Sequence, residues 1–194
     1  MCIGFVVRMR SVAWRSLAVV VAVAMLAGCS LTRRRQPNVY DALQARRLMV
    51  PVAGVGPGQL TDNFNAPRGH GTRKHLALDI MAPHGTPVLA ADEGEVLAVK
   101  TNQLGGRVVY ATDPYRHFVY YYAHLSRWHP DTVPGRRVER GDVLGYVGTT
   151  GNARGRAPHL HFQVRMYSPD GRYWTGPPLN PLACFARPGR RVTP

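Results

Sequence analysis

Lysine is almost missing from this chain of 194 residues: only Lys74 and Lys100 occur, although lysine and arginine together number 25. Acids are scarce as well, 11 in all, which leaves a formal charge of +14 at pH 7. A basic character carried almost wholly by arginine suits bidentate contact with phosphate or carboxylate. Long hydrophobic runs are also lacking. The apolar run from Leu17 to Leu26 is ten residues long, half of the roughly 20 that a helix needs to cross a bilayer, so a permanent transmembrane anchor is not expected. No internal repeat of the solenoid kind is present. Cysteine is confined to Cys2, Cys29 and Cys184.

What is present at the start has the layout of a secretory signal: Arg8, Arg10 and Arg15, the apolar run, then Leu26-Ala27-Gly28-Cys29. Met9-Arg10 would serve equally well as its beginning. The Leu-Ala-Gly-Cys end resembles the lipobox of bacterial lipoproteins, whose cysteine becomes the lipidated first residue. Residues 1–28 are therefore expected to be removed and Cys29 to carry lipid. Ser30, in place of aspartate, favours the outer membrane, facing the periplasm. With Cys2 removed and Cys29 lipidated, Cys184 stands alone and no intramolecular disulfide is expected. The basic excess survives removal of the signal. An exported protein meets anionic envelope polymers and lipid headgroups first, so nucleic acid is not the expected partner.

Residues 29–59 are polar and basic, with Arg33-Arg34-Arg35 and the glycine-rich Gly54 to Gly58, and read as a flexible tether. The apolar spacing between Tyr40 and Met49 is too irregular to support a helix firmly. From Leu60 the pattern changes to short apolar or alternating runs: 87–91, 95–100, 107–111, 118–123, 143–147 and 160–165. Glycine, proline, asparagine and aspartate separate them. Runs of this length, rich in valine and tyrosine, predict antiparallel strands in a compact all-β domain with little helix, over residues 60–183. Residues 184–194 read as a basic tail.

Two short motifs carry the chemistry. On a strand, side chains alternate faces, so His75-Leu76-Ala77-Leu78-Asp79-Ile80 puts His75, Ala77 and Asp79 on one side and the larger apolar residues on the other. A surface strand with a salt-bridged histidine and aspartate has the same spacing. In His159-Leu160-His161-Phe162 the i, i+2 spacing again brings both imidazoles to one face, and a metal can bind the neutral rings. Catalytic zinc takes three protein ligands and keeps a fourth position open. Four candidate ligands are thus one too many, and a spare histidine is available as a base.

With these motifs in this order, the sequence resembles the LytM-type, lysostaphin-like zinc peptidases of the M23 family, whose pattern is H-x-x-x-D followed later by H-x-H. The resemblance runs from about Leu60 to Pro181 and includes Gly85-Thr86-Pro87-Val88, Tyr122-Ala123-His124-Leu125, Gly141-Asp142-Val143-Leu144-Gly145 and Gly148-Thr149-Thr150-Gly151-Asn152. Ala77 stands where the family usually has glycine, a small perturbation. The resemblance implies a barrel-sandwich-like β domain and one zinc ion held by His75, Asp79 and His161. It also implies that His124 and His159 act as catalytic groups on a zinc-activated water, with roles as base that the sequence does not divide.

The implied substrate is the peptide of peptidoglycan. A Gram-negative envelope points to D,D-endopeptidase action on the bond between D-alanine and meso-diaminopimelate. Arg68, Arg154 and Arg156 are candidate substrate contacts, whereas His70, His84, His117 and His129 read as structural or solvent-facing. Two other functions share parts of the pattern. Some LytM-type proteins have lost zinc ligands and activate cell-wall amidases; all five site residues are present here. The phrases around Pro87 and Gly141 also echo biotinyl and lipoyl carriers, but neither lysine lies at the hairpin tip that a carrier needs.

Overall fold

The computed structural model describes residues 38–168 and 170–185. The expected signal, Cys29, the first part of the expected tether and residues 186–194 lie outside them.

Twelve strands are described, with one short α-helix and three 3-10 turns. The large antiparallel sheet is built on β5 (Gly94–Asn102), β6 (Gly106–Thr112), β7 (Phe118–Leu125) and β11 (His159–Met166), in spatial order. Beyond β5 lies β9 (Arg137–Val138). Along its free edge β11 pairs first with β3 (Leu78–Met81) and then with β12 (Pro178–Leu179). A second sheet joins β4 (Pro87–Leu89), β10 (Val143–Tyr146) and β8 (Arg127–Trp128). The two-residue strands β1 (Pro67–Arg68) and β2 (Arg73–Lys74) form a separate hairpin.

The alternation of each long strand decides which face is buried. Leu160, Phe162 and Val164 of β11 and Phe118, Tyr120 and Tyr122 of β7 enter one core, joined by Val88 and Leu144 from the second sheet. Burying each side chain of this size contributes about 1.5–3 kcal/mol. All six expected strand segments are strands, with ends that differ by up to two residues.

The expected tether differs from what is found. Val39–Ala45 forms the helix α1, whose N-terminus is closed by a capping box between Asn38 and Asp41. After it, Leu48, Val50 and Val52 are buried with Leu43. The backbone of this stretch runs beside β4: Leu89 N–H donates to Pro51 O, and Val52 bridges Val88. Residues 38–52 therefore belong to the domain core. Leu48, Val50 and Val52 alternate inward along this edge, where Met49 N–H donates to Ala91 O and Ala53 N–H donates to Pro87 O. The expected tail also begins too early, since Cys184 and Phe185 are buried and Phe185 pairs with Leu48.

An aspartate fastens this seam. The buried carboxylate of Asp92 accepts from Arg46 Nε at 2.6 Å, Arg140 Nη2 at 2.8 Å and the Tyr120 hydroxyl at 2.8 Å. Burial, reinforced by this carboxylate, raises the Tyr120 phenol above its ordinary pKa.

Candidate metal centre

His75 and Asp79 converge by a route other than a regular strand. β3 begins only at Leu78, and Leu76 adopts a left-handed backbone with φ of 60°. That conformation costs a residue with a β-carbon roughly 1–2 kcal/mol. Here it is held from both sides: Leu76 N–H donates to Phe64 O at 2.7 Å, and Gln163 Nε2 donates to Leu76 O at 2.6 Å. The kink turns His75 back over Asp79, while Leu78 and Ile80 stay in the core as the alternation requires. In β11, His161 stands opposite Asp79, so the pairing of β3 with β11 brings the two motifs together across 82 residues.

His75 Nε2, Asp79 Oδ1 and His161 Nδ1 form a triangle with sides of 2.9, 3.0 and 3.0 Å. His75 Nδ1 lies 3.0 Å from Asn63 O. A carbonyl only accepts, so in the neutral ring Nδ1 carries the proton and Nε2 presents a lone pair to the triangle. Lone pairs this close repel one another unless a proton or a cation lies among them. Tetrahedral zinc, with donors at about 2.0–2.1 Å, holds them roughly 3.3 Å apart. Small shifts would therefore let the three atoms share one ion, and their chemistry, two imidazoles and a carboxylate, is that of a zinc site. Burial opposes the charge of Asp79, but the adjoining imidazoles of His161 and His75 outweigh it and hold the carboxyl well below the usual carboxylate range. Burial lowers His161, with Asp79 acting against the shift.

Two further imidazoles flank the triangle. The His124 ring lies 5.5 Å from His161 and 5.0 Å from His159, centroid to centroid. Its Nδ1 is 2.8 Å from Thr150 O, and His159 Nδ1 is 2.9 Å from Ala157 O. In the neutral form both rings therefore keep Nε2 bare. Burial, followed by the neighbouring His161, pushes His124 down to about 4. His124, the last residue but one of β7, has φ of 64°, and its N–H donates to Gly105 O at 2.7 Å. Gly106 and Gly151, with φ of 66° and 69°, make this arrangement possible. A β-carbon on either would collide with the backbone of the other's loop, and those loops supply both partners of His124.

The arginines singled out in the sequence separate. Arg68 and Arg156 line the cleft over the triangle, whereas Arg154 opens onto a neighbouring depression with Arg107. Arg68 Nη2 is bound to Asp79 Oδ2 at 2.7 Å. His70, His84 and His117 are exposed, and His129 is half-buried, away from the cleft. Sequence reasoning missed Asn63, whose carbonyl orients His75 and whose side chain brackets the backbone of Asp79, taking its N–H at 3.1 Å and donating to its carbonyl at 3.4 Å. Gln163 and Thr150 were missed for the same reason. Each acts on a residue distant in sequence through a single hydrogen bond, which leaves no local pattern.

Residues 73–181 match the model of Peptidase family M23. The chain is 37% identical over 112 residues to the peptidoglycan DD-endopeptidase ShyC of Vibrio cholerae, a stretch that makes up 54% of this chain and 24% of that protein. It is 35% identical over 98 residues to the glycyl-glycine endopeptidase ALE-1 of Staphylococcus capitis, covering 50% of this chain and 26% of that one. The chain thus spans about a quarter of the length of these curated relatives. Among solved structures, a zinc containing peptidase from Vibrio cholerae superposes with a TM-score of 0.55 at 26% identity, covering 72% of this chain and 40% of the other. The matched residues carry the triangle, both flanking histidines and the strands that place them, and by that match this chain belongs to peptidase family M23.

Proposed function

We propose that this protein is a zinc-dependent endopeptidase of peptidoglycan that cuts cross-links between D-alanine and meso-diaminopimelate. The observation that carries the reading is the set of three converging donors flanked by two imidazoles whose Nε2 atoms are bare. Bound among His75, Asp79 and His161, zinc would acidify a water molecule and polarise the scissile carbonyl. The chain's own residues do the rest. Arg68 occupies Asp79 Oδ2 and leaves Oδ1 facing His75 and His161. Asn63 O fixes the His75 tautomer, as partners behind metal ligands commonly do. His124 and His159 each present a nitrogen that can accept a proton and return it to the leaving amine.

The choice of bond is supported by likeness to ShyC, named a DD-endopeptidase. It is consistent also with the expected signal and Cys29 lipid anchor, which would put the protein on the outer membrane facing the periplasm. Incubating residues 30–194 with peptidoglycan sacculi, with and without chelator, tests the reading through muropeptide analysis. Cross-linked dimers should disappear, and chelator should preserve them. If zinc-loaded protein leaves every dimer intact, the role of amidase activator takes precedence.

A further inference from the structure

The cleft over His75, Asp79 and His161 has a volume of about 410 Å³. Of the chain's 11 acids, only Asp79 lines it, against five cations: Arg68, Arg73, Lys74, Arg156 and Arg165. Two of these are engaged within the protein. Arg68 holds Asp79, and Arg165 donates to Gln163 Oε1 at 2.7 Å and to Gly176 O at 2.8 Å. Arg73, Lys74 and Arg156 are exposed and meet no carboxylate among the described residues. They stand on different walls: Arg73 and Lys74 form β2, and Arg156 lies in the glycine-rich loop before β11.

Unpaired charges of one sign on the walls of a cleft raise the local concentration of oppositely charged ligands. A guanidinium also matches a carboxylate through two parallel hydrogen bonds. From this distribution we infer that the cleft selects peptides bearing free carboxylates near the scissile bond, bound by Arg73, Lys74 and Arg156. The inference rests on the peptidase reading and narrows it. A stem peptide with free glutamyl and diaminopimelyl carboxylates satisfies these three cations. A bridge of glycines, or a stem whose carboxylates are amidated, offers them nothing.

Two synthetic cross-linked peptides test this, identical except that one has free glutamyl and diaminopimelyl carboxylates and the other has both as carboxamides. Binding of each to the zinc-loaded protein is followed by fluorescence anisotropy, and cleavage by chromatography. An exposed ion pair changes affinity about 1.4- to 5-fold, so three together should give the free acid roughly tenfold tighter binding. The preference should appear in KM rather than kcat. It should shrink as salt rises from about 0.02 to 0.5 M, because the screening length falls well below 10 Å at the upper end. In the variant R73Q/K74Q/R156Q the ratio should fall towards one. Equal binding of the two peptides by the wild type, or a ratio untouched by both salt and substitution, overturns the inference whether or not either peptide is cut. Preferential binding of the acid without cleavage of either peptide leaves the inference standing and overturns the peptidase reading alone.

Discussion

Two aspartates divide the work of this domain. Asp92 is fully buried and saturated: Arg46, Arg140 and Tyr120 reach its two oxygens, so its charge is compensated within the protein. Asp79 is 18% exposed at the floor of a cleft; one oxygen is taken by Arg68, and the other faces His75 and His161. In the first cluster both oxygens already have proton donors, two on Oδ2 and one on Oδ1. In the second, two imidazole nitrogens and a carboxylate oxygen converge within 3.0 Å of one another, a donor set suited to a shared cation. A buried carboxylate with permanent partners holds elements together, whereas one facing two imidazole nitrogens in a cleft is prepared for chemistry.

The comparison breaks most sharply if the two histidine classes behave alike. His75→Ala should lose both zinc and turnover, whereas His159→Ala should keep zinc by metal analysis while turnover falls by about 10²–10⁴-fold. Equal zinc loss in the two would overturn the division between ligands and proton carriers.

Next in size is the fastening cluster. Asp92→Ala would leave Arg46 and Arg140 without their shared partner and should cost about 3–5 kcal/mol in chemical denaturation. The folded fraction should still bind zinc, because no ligand touches Asp92. Loss of zinc from well-folded D92A protein would mean that the clusters are not separable.

A smaller effect is expected from Asn63→Ala, which removes the bracket on Asp79 but keeps the carbonyl that orients His75. Zinc affinity should weaken by roughly 10-fold, towards the lower end for partners behind metal ligands, as read by competition with a chelator. An unchanged affinity would assign Asn63 to folding alone.

The smallest signal concerns the seam near Asp92. Cys184 is buried, and burial pushes its thiol up to about 11. Native protein should therefore resist thiol reagents at pH 8. D92A should react faster, because Cys184 sits beside the Leu48 and Phe185 pairing that Arg46 helps to fasten.

Much of the large sheet was legible because alternation is a local property. In β11, Leu160 and Phe162 face inward, and His159 and His161 therefore share the other face whatever the strand pairs with. The N-terminal segment was not legible. Leu48, Val50 and Val52 alternate over too short a stretch, broken by Pro51, to be read as a strand, and their burial depends on β4 and on Phe185, far along the chain. His75 was placed correctly beside Asp79 for an incomplete reason. A regular strand was expected where a left-handed Leu76, held by Gln163, makes the turn.

By itself the sequence determined the residue types able to hold a metal, their order and the strand character of the segments that carry them, because these follow from side-chain chemistry and a two-residue repeat. Tertiary structure alone decided which oxygen of Asp79 faces the histidines, which tautomers they adopt, and which cations of a uniformly basic chain remain free over the cleft. Those outcomes depend on hydrogen bonds and ion pairs between distant residues, whose geometry exists only once the sheets have packed.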